Sequence, residues 1–215
     1  MTKPTIGIIG AGKLGTTLGK LLVDADYPVL ISGSGSTDKI ALTVSVLIPG
    51  AQAVTNAELA ELSDIIVLAL PLSKYQELDA ELLKGKLVID AMNYWWEIDG
   101  LDNIYSDAEQ SSSEKVQAYF QDSTIIKAFN HMGYHNLSDD VRPDTHDNRK
   151  AQIITGDDQE AVKVVEAIVE EIGFTPLYIG DLKNGVILEP GSPLFGASLG
   201  VEETQAIVDE ELGKV

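Results

Sequence analysis

Three glycines near the amino terminus carry the clearest chemical signal in the sequence. Gly10, Gly12 and Gly15 follow the pattern G-x-G-x-x-G, directly after the β-branched run 5–9 and before leucines at helical spacing. Between a strand and a helix, the first glycine permits a tight turn, the second lets the backbone approach a pyrophosphate, and the third packs helix against strand. Because the positive end of the helix attracts phosphate, the pattern predicts a dinucleotide site. A glycine turn that binds nothing is the alternative.

The segment after the second apolar run predicts which dinucleotide binds. A carboxylate at this position holds the ribose 2′-hydroxyl of NAD and repels the 2′-phosphate of NADP. Residues 31–36 end the run with hydroxyls and glycines, and the candidate contacts are Ser32, Gly33, Ser34 and the nearby Lys39. The lack of an acid at the tip favours NADP(H). The alternative is a flexible Gly/Ser turn with Lys39 in solvent, since no arginine is present to clamp a phosphate.

Residues at the ends of later apolar runs predict the other half of the site. The carboxyl ends of parallel strands meet at one edge of a sheet, where the nicotinamide end of a dinucleotide lies. This reasoning selects Ala69, Leu70, Pro71, Asn93, Asn130, His131 and Met132. We expect these residues to line one cleft, with Asn130, His131 and Met132 as the catalytic candidates.

A metal site and an aromatic platform are other possibilities at this edge. His131 and His135 stand four residues apart, but Gly133 interrupts a helix and no third ligand is suitably spaced, so we predict no metal. Trp95 and Trp96 could stack on a planar ring; alternatively, one lies in the core and one in a subunit contact. Hydride transfer needs chiefly positioning and desolvation, so a site poor in acid–base groups is compatible with it.

Composition and charge exclude several classes of function. The chain has 215 residues, 15 Lys and Arg against 34 Asp and Glu, a formal net charge of −19 and no cysteine. This charge repels nucleic acid and anionic lipid, so we expect neither as a partner. The lack of cysteine excludes disulfides and thiolate chemistry and fits a cytoplasmic location. No apolar run approaches the ~18 residues of a membrane span, and no signal peptide is visible.

The elements that must position these residues alternate between strands and helices. Apolar runs typical of buried strands cover 5–9, 28–32, 63–71, 87–90, 124–129 and 151–155. Helical candidates cover 56–62, 73–83, 112–120, 159–172 and 202–212. The alternation predicts a doubly wound, mostly parallel α/β sheet of the Rossmann type with helices on both faces.

Two interruptions and a tail break this alternation. Residues 94–110 and 131–150 have the length and polarity typical of active-site loops. Beyond residue 179 the pattern weakens. We therefore predict one dinucleotide-binding domain over 1–180 and a short extension over 181–215, which is not independent and caps the cleft or a partner subunit.

Several segments resemble the NADPH-dependent F420 reductases, also called coenzyme F420-dependent NADP oxidoreductases. The resemblance covers nearly the whole chain, through the turn 6–15, a strand ending in proline at 71, Asp-x-x-Asn at 90–93, a Ser-rich helix start at 111–117 and Lys-Ala-Phe-Asn at 127–130. Family members transfer hydride between NADPH and a deazaflavin ring. The resemblance implies pyrophosphate contacts at Gly10, Ala11, Gly12, Lys13 and Leu14, 2′-phosphate contacts at Ser34 and Lys39, and ring contacts at Pro71, Asn130 and Met132.

Two segments depart from the family pattern. Ser34-Gly35 stands where the family commonly has Ser-Arg, and His131-Met132-Gly133 stands where a Thr-Ile/Val-Pro run is usual. The second departure lies on the acceptor side. The acceptor classes to be considered are therefore F420, a flavin, a quinone and a ferric chelate.

The sequence thus predicts an NADPH-dependent oxidoreductase, working as a homodimer, that exchanges hydride between bound NADP(H) and a small planar redox substrate. Two alternatives stay open. A non-catalytic NADP(H) sensor would use the polar loop 138–150 as a partner surface. A small imine or ketone reductase would need an added helical domain, for which the roughly 35 residues after residue 180 are too few.

Overall fold

The computed structural model describes residues 2–101, 104, 105, 107 and 110–214, and in them one sheet forms the centre of the fold. Its strands lie in the order β3-β2-β1-β4-β5-β6-β7-β8. They are β1 (Ile6–Ile9), β2 (Val29–Ser32), β3 (Gln52–Ala53), β4 (Ile65–Leu68), β5 (Leu87–Asp90), β6 (Thr124–Ala128), β7 (Ala151–Gly156) and β8 (Thr175–Tyr178). Pairing is parallel except between β6 and β7. The prediction of a doubly wound, mostly parallel sheet is confirmed.

Helices cover both faces of this sheet. They are α1 (Lys13–Asp24), α2 (Asp38–Leu47), α3 (Asn56–Leu62), α4 (Trp96–Asp99), α5 (Ser112–Tyr119), α6 (Tyr134–Asp139), α7 (Gln159–Ile172) and α8 (Val201–Leu212). Short 3₁₀ helices span Leu72–Glu77, Ala80–Leu83 and Leu182–Leu188. The helices predicted at 56–62, 112–120, 159–172 and 202–212 are confirmed to within one residue at each end.

The strands divide their side chains between two hydrophobic cores, because neighbouring residues on a strand point to opposite faces. On β1, Ile6 and Ile8 pack in the core that contains α1 and α7. Ile9 packs in the second core, with side chains of α3 and α5. A strand buried on both faces needs no polar side chain, which explains the unbroken apolar runs in the sequence.

Four segments differ from the prediction. The expected helix 73–83 is two 3₁₀ helices, because Leu78 is extended and the Asp79 carboxylate caps the second one by accepting from the amide of Glu81. Helix α2 is absent from the prediction, since large apolar residues on it, such as Leu42 and Val46, are exposed and give no buried stripe. The short strands β3 and β8 also escape the sequence pattern.

The two predicted interruptions contain short helices. Residues 94–110 include α4, while positions 102, 103, 106, 108 and 109 lie outside the described residues. Residues 131–150 include α6 and then run irregularly to β7. Within the described ranges, no helix combines the length and apolar character that crossing a membrane requires.

The carboxyl-terminal segment packs onto β7 and then crosses the sheet edge. Ile187, Leu188 and Val208 form a small core with Ile153 of β7. Residues 188–196, which we call the C-terminal strap, pass over the carboxyl ends of β5 and β6. The strap is fixed there by the amide of Gly196, which donates to the carbonyl oxygen of His131 at 2.6 Å.

Candidate functional site

Each of the three positions in the turn has a different structural reason for being glycine. Gly10 has a φ of +127°, and a Cβ on it would lie 2.2 Å from the carbonyl oxygen of Ala69. A Cβ on Gly15 would lie 1.8 Å from the carbonyl oxygen of Gly10, so α1 can approach the turn only without a side chain there. A Cβ on Gly12 would meet nothing within 4 Å. Gly12 therefore leaves an open approach to the backbone, where a ligand can bind.

The amino terminus of α1 offers main-chain donors at this approach. Gly12 is the N-cap, and no side chain of the described residues caps the helix. The first hydrogen bond of the helix runs from the amide of Thr16 to the carbonyl oxygen of Gly12, at 2.9 Å. The backbone amides before Thr16 have no partner within the helix. These amides and the positive end of the helix dipole suit a diphosphate.

A cleft of ≈ 720 Å³ opens beside the glycine turn, a volume typical of small-molecule sites. Among the predicted contacts, its lining includes Gly10, Ala11, Gly12, Gly33, Ser34, Ala69, Leu70 and Pro71. Residues not selected from the sequence complete the lining, namely Ile9, Ile40, Asn56, Lys74, Glu77 and Leu78. The structure thus joins the loops after β1, β2 and β4, where the strand order reverses and ligands bind in open α/β sheets.

The loop after β2 forms the wall where a dinucleotide's ribose is recognised. Ser34 is exposed in this wall, and Ser32 is buried with a hydroxyl that has no partner among the described residues. Lys39 lies outside the cleft lining, in the first turn of α2, and its ammonium would lie 3.0 Å from a Cβ on Gly35. In the opposite wall, Lys74 is paired with Glu77 at 2.6 Å. Of the candidate 2′-phosphate contacts, Ser34 therefore lines the cleft and Lys39 does not.

Asn56 is a cleft residue that the sequence pattern did not select. It is the first residue of α3 and lines the cleft, and its Oδ1 is buried without a partner in the described part of the chain. Buried amide oxygens are nearly always hydrogen-bonded, so an unpaired one beside a cleft fits a donor on a ligand. The capping box of Thr55 and Glu58 marks the helix start in the sequence, but nothing in that signal points to a ligand.

Asn93, Asn130, His131 and Met132 do not line this cleft. Asn130 is 6% exposed and Met132 is 3% exposed, because the C-terminal strap covers the ends of β5 and β6. The side-chain nitrogens of Asn93 and Asn130 both donate to the carbonyl oxygen of Leu188 in the strap, at 3.1 and 3.3 Å. The expected single cleft is therefore divided into an open side, beside the glycine turn, and a covered side, beneath the strap.

His131 is a buried imidazole with a lowered pKa. Its side chain lies in the interior, with Nδ1 3.2 Å from Nε2 of Gln152. Loss of hydration lowers the pKa of His131 to about 4, and a hydrogen bond with the backbone of Ala151 opposes the shift only in part. His131 is therefore neutral near pH 7. Its assignment as a catalytic residue stays a prediction.

The aromatic and metal hypotheses are also constrained by the fold. Trp95 and Trp96 are 43% and 53% exposed, so the alternative that places one of them in the core is wrong. The ring of Trp95 lies 6.3 Å from that of Phe195 in the strap. Because α6 begins at Tyr134, His131 and His135 do not share a helix. Across the described ranges, no group of three or more His, Cys, Asp or Glu side chains is arranged to hold a metal ion.

The strand order, the glycine turn and the uncapped helix define a dinucleotide-binding fold of the Rossmann type. Residues 5–94 match the family described as NADP oxidoreductase, coenzyme F420-dependent. The resemblance to the F420 reductase family is confirmed over this part of the chain, which contains the glycine turn and the walls of the cleft.

One curated relative is named as a reductase. The chain is 28% identical over 183 residues to the metalloreductase STEAP3 of Rattus norvegicus. The match covers 84% of this chain and 35% of that protein, so the chain spans about a third of the relative's length.

Solved structures share the fold. A hypothetical protein from Sinorhizobium meliloti superposes with a TM-score of 0.79 at 24% identity, covering 91% of this chain and 95% of that one. A candidate F420-dependent NADP reductase from Arthrobacter sp. gives 0.69 at 22% identity, covering 85% and 87%. An imine reductase from Pseudomonas sp. gives 0.60 at 17% identity, covering 99% of this chain and 62% of that one. At these identities the likeness establishes the fold alone.

Proposed function

We propose that the protein binds NADP(H) in the cleft and transfers hydride between the nicotinamide ring and a planar redox acceptor. The observation that carries the proposal is the open approach at Gly12 to the uncapped amino terminus of α1. Main-chain amides can hold a diphosphate there by local attraction, although the whole chain carries a net charge of −19. The coenzyme supplies the hydride chemistry, and the protein supplies binding and orientation.

Each wall of the cleft has a part in this proposal. The amides of the turn and of the first turn of α1 hold the pyrophosphate, and Ser34 and Lys39 bind the 2′-phosphate. The unpaired oxygen of Asn56 accepts a hydrogen bond from the adenine amino group. Leu70 and Pro71 form an apolar wall that keeps water away from the bound coenzyme.

The acceptor is the finer part of the proposal. The name of the matching family favours the deazaflavin coenzyme F420, and a flavin accepts hydride on a similar planar ring. The name of the curated relative favours a second candidate, a metal ion held in a chelate. A ferric ion takes one electron at a time, so a flavin would first accept the hydride and then pass its electrons singly.

Coenzyme titration tests the binding part. NADPH should bind at least about tenfold more tightly than NADH, a difference of ~1.4 kcal/mol, because no acid at the end of β2 repels the 2′-phosphate. Equal affinities would remove the 2′-phosphate assignment. Absence of binding by either coenzyme would contradict the whole proposal.

An acceptor panel tests the redox part. NADPH oxidation is followed anaerobically with F420, FMN, quinones and ferric chelates as separate acceptors. Oxidation by one of them identifies the acceptor class. Tight NADPH binding with no oxidation by any of them would favour the non-catalytic sensor instead.

Assembly and location are further parts of the proposal. We expect a homodimer, which light scattering of the purified protein will detect as twice the mass of one chain. We also expect a cytoplasmic location, which a fluorescent fusion in the source cell will report.

A further inference from the structure

A buried ion pair lies at the carboxyl ends of β5 and β6. Asp90 and Lys127 are register partners on these two strands, and each is 0% exposed. Nζ of Lys127 lies 3.2 Å from Oδ2 of Asp90. Ser113, in the first turn of α5, donates its hydroxyl to the same carboxylate oxygen at 2.6 Å. Two strands and a helix therefore meet at one charged group.

The pair binds both polar backbone groups of Met92. Nζ of Lys127 donates to the carbonyl oxygen of Met92 at 3.0 Å, and Oδ1 of Asp90 accepts from the amide of Met92 at 3.0 Å. Strand β5 ends at Asp90, so these side chains take the place of ladder partners just beyond the strand. The ion pair thereby sets the backbone path from β5 to Asn93.

This backbone is connected to the coenzyme cleft through the neighbouring strand. The amide of Ala91 donates to the carbonyl oxygen of Leu68 at the end of β4, at 3.1 Å. The next residues of that chain segment, Ala69 and Leu70, line the cleft. Met92 therefore stands one strand further along the edge at which the cleft opens.

Stability alone does not account for an ion pair at this depth. The cost of removing two charges from water offsets much of their attraction, and well-packed apolar residues of similar volume are often equally stable. The 3₁₀ helix Leu182–Leu188 also closes over the pair, because a Cβ on Gly185 would lie 3.2 Å from Cδ of Lys127. The pair is fully buried, and in the described part of the chain its other hydrogen bonds are to Ser113 and to the Met92 backbone.

We propose that Asp90 and Lys127 are positioning residues that hold the Met92–Asn93 backbone in place for the nicotinamide half of the coenzyme. This inference rests on the proposed function and extends it. The adenosine half belongs to the loops after β1, β2 and β3, whereas the nicotinamide half extends from the loop after β4 along the sheet edge towards β5. Loss of the pair should therefore affect the nicotinamide half and leave the adenosine half unchanged.

The first test replaces both charges with apolar groups of similar size, in the double variant Asp90→Leu, Lys127→Met. The matched control is Lys86→Met, because Lys86 also binds a main-chain carbonyl, that of Ser63 at 2.7 Å, but lies next to the amino end of β5. Binding of 2′,5′-ADP reports the adenosine half. The emission and anisotropy of bound NADPH report the nicotinamide half, and kcat with the acceptor found in the panel reports the reaction.

In the double variant, we expect 2′,5′-ADP affinity within about twofold of the wild type, because its contacts are remote from the substitutions. Bound NADPH should show lower anisotropy, and kcat should fall by about tenfold or more, since small misplacements of reacting rings are costly. The Lys86→Met control should keep all three values. A double variant with wild-type anisotropy and kcat would overturn the positioning role.

A milder pair of variants decides the question should the double variant fail to fold. Ser113→Ala removes one hydrogen bond to Asp90, and Ser123→Ala removes a hydrogen bond of the same length, 2.6 Å, to the carbonyl oxygen of Leu83. Ser113→Ala should lower kcat by about threefold, with little change in KM for NADPH. Ser123→Ala should have the kcat of the wild type. Equal kcat values in these two variants would overturn the inference.

The outcomes separate this inference from the function on which it rests. If wild-type protein gives no change in NADPH emission, NADP(H) binding itself is refuted. If the wild type binds and oxidises NADPH and the variants match it, only the positioning role is refuted.

Discussion

The open side and the covered side of this sheet edge are built in opposite ways. The open side, beside the glycine turn, consists largely of backbone: three glycines, a helix amino terminus and the loops after β2 and β4. The covered side, over β5 and β6, lies beneath the strap and the 3₁₀ helix Leu182–Leu188 and contains buried polar side chains, among them Asp90, Lys127 and His131. A backbone site can bind a phosphate common to many ligands, whereas a site made of side chains can be specific for one.

The largest expected effect is at the open side. In Gly12→Val the new side chain occupies the approach to the α1 amides, so NADPH affinity should fall by about a thousandfold, or ~4 kcal/mol. A Cβ on Gly12 meets nothing within 4 Å, so the thermal midpoint should fall only by the small cost of valine at an N-cap. Titration and thermal unfolding measure the two quantities.

Gly200 provides the matched control for this prediction. Like Gly12, it is an extended N-cap of a twelve-residue helix, without a side-chain cap, and a Cβ on it meets nothing within 4 Å. Gly200→Val should keep wild-type NADPH affinity. A similar loss in both variants would mean that Gly12 acts through the fold and not through an open approach.

The second prediction concerns the covered side and its dependence on pH. Burial lowers the pKa of His131 from 6.5 to about 4. Between these two pH values the imidazole is therefore protonated in the unfolded chain and neutral in the folded chain. The stabilisation from neutral His131 is thus complete above pH 6.5 and is lost as the pH falls towards 4. The difference amounts to about 3 kcal/mol in the free energy of unfolding.

Urea denaturation of wild type and His131→Gln at several pH values measures this difference. Carboxylates titrate in both proteins, so subtracting the two curves isolates the histidine. The variant should lose less stability than the wild type between pH 6.5 and 4. Parallel curves would show that His131 takes up its proton in the folded state and that the strap does not exclude water from it.

The third prediction returns to the open side. Lys39→Gln should weaken NADPH binding by about tenfold, or ~1.4 kcal/mol, and leave NADH binding unchanged, because the proposed function places this ammonium beside the 2′-phosphate. Lys20→Gln is the control, since Lys20 is also exposed but is paired with Asp24 on the far part of α1. Equal losses for both coenzymes would show that Lys39 acts on the pyrophosphate or on the fold.

The smallest expected effect is at an anchor of the strap. Oε1 of Glu189 accepts from the amide of Ser112, the first residue of α5, at 2.8 Å, so its charge lies at a helix amino terminus. Glu189→Gln keeps an acceptor and loses the charge, which should cost about 1 kcal/mol of unfolding free energy. Glu203→Gln, in the exposed first turn of α8, should cost only a few tenths. Similar losses of unfolding free energy in the two variants would show that the charge of Glu189 does not stabilise the strap against α5.

The sequence predicted the open side better than the covered side. Gly10, Gly12 and Ser34 were found from local spacing, because a turn and a helix start are decided by neighbouring residues. Asn56 and Lys74 were missed, since they join the cleft from a helix and a 3₁₀ helix that no local pattern connects to it. Lys127, a charge in the middle of an apolar strand, is the signal that could have revealed the buried pair, because such a charge needs a partner.

The sequence by itself determined the alternation of strands and helices and the position of the glycine turn. A strand buried on both faces requires consecutive apolar residues, and a left-handed backbone requires glycine, so both features are visible in a short stretch of sequence. The tertiary structure alone decided that a carboxyl-terminal strap covers Asn130, His131 and Met132 and separates them from the coenzyme cleft. These contacts join residues more than fifty positions apart, such as Asn130 and Leu188, and no periodicity in the chain encodes such a pairing. The dinucleotide-binding turn is therefore visible in the sequence, and the surroundings of Asn130, His131 and Met132 are visible only in the folded chain.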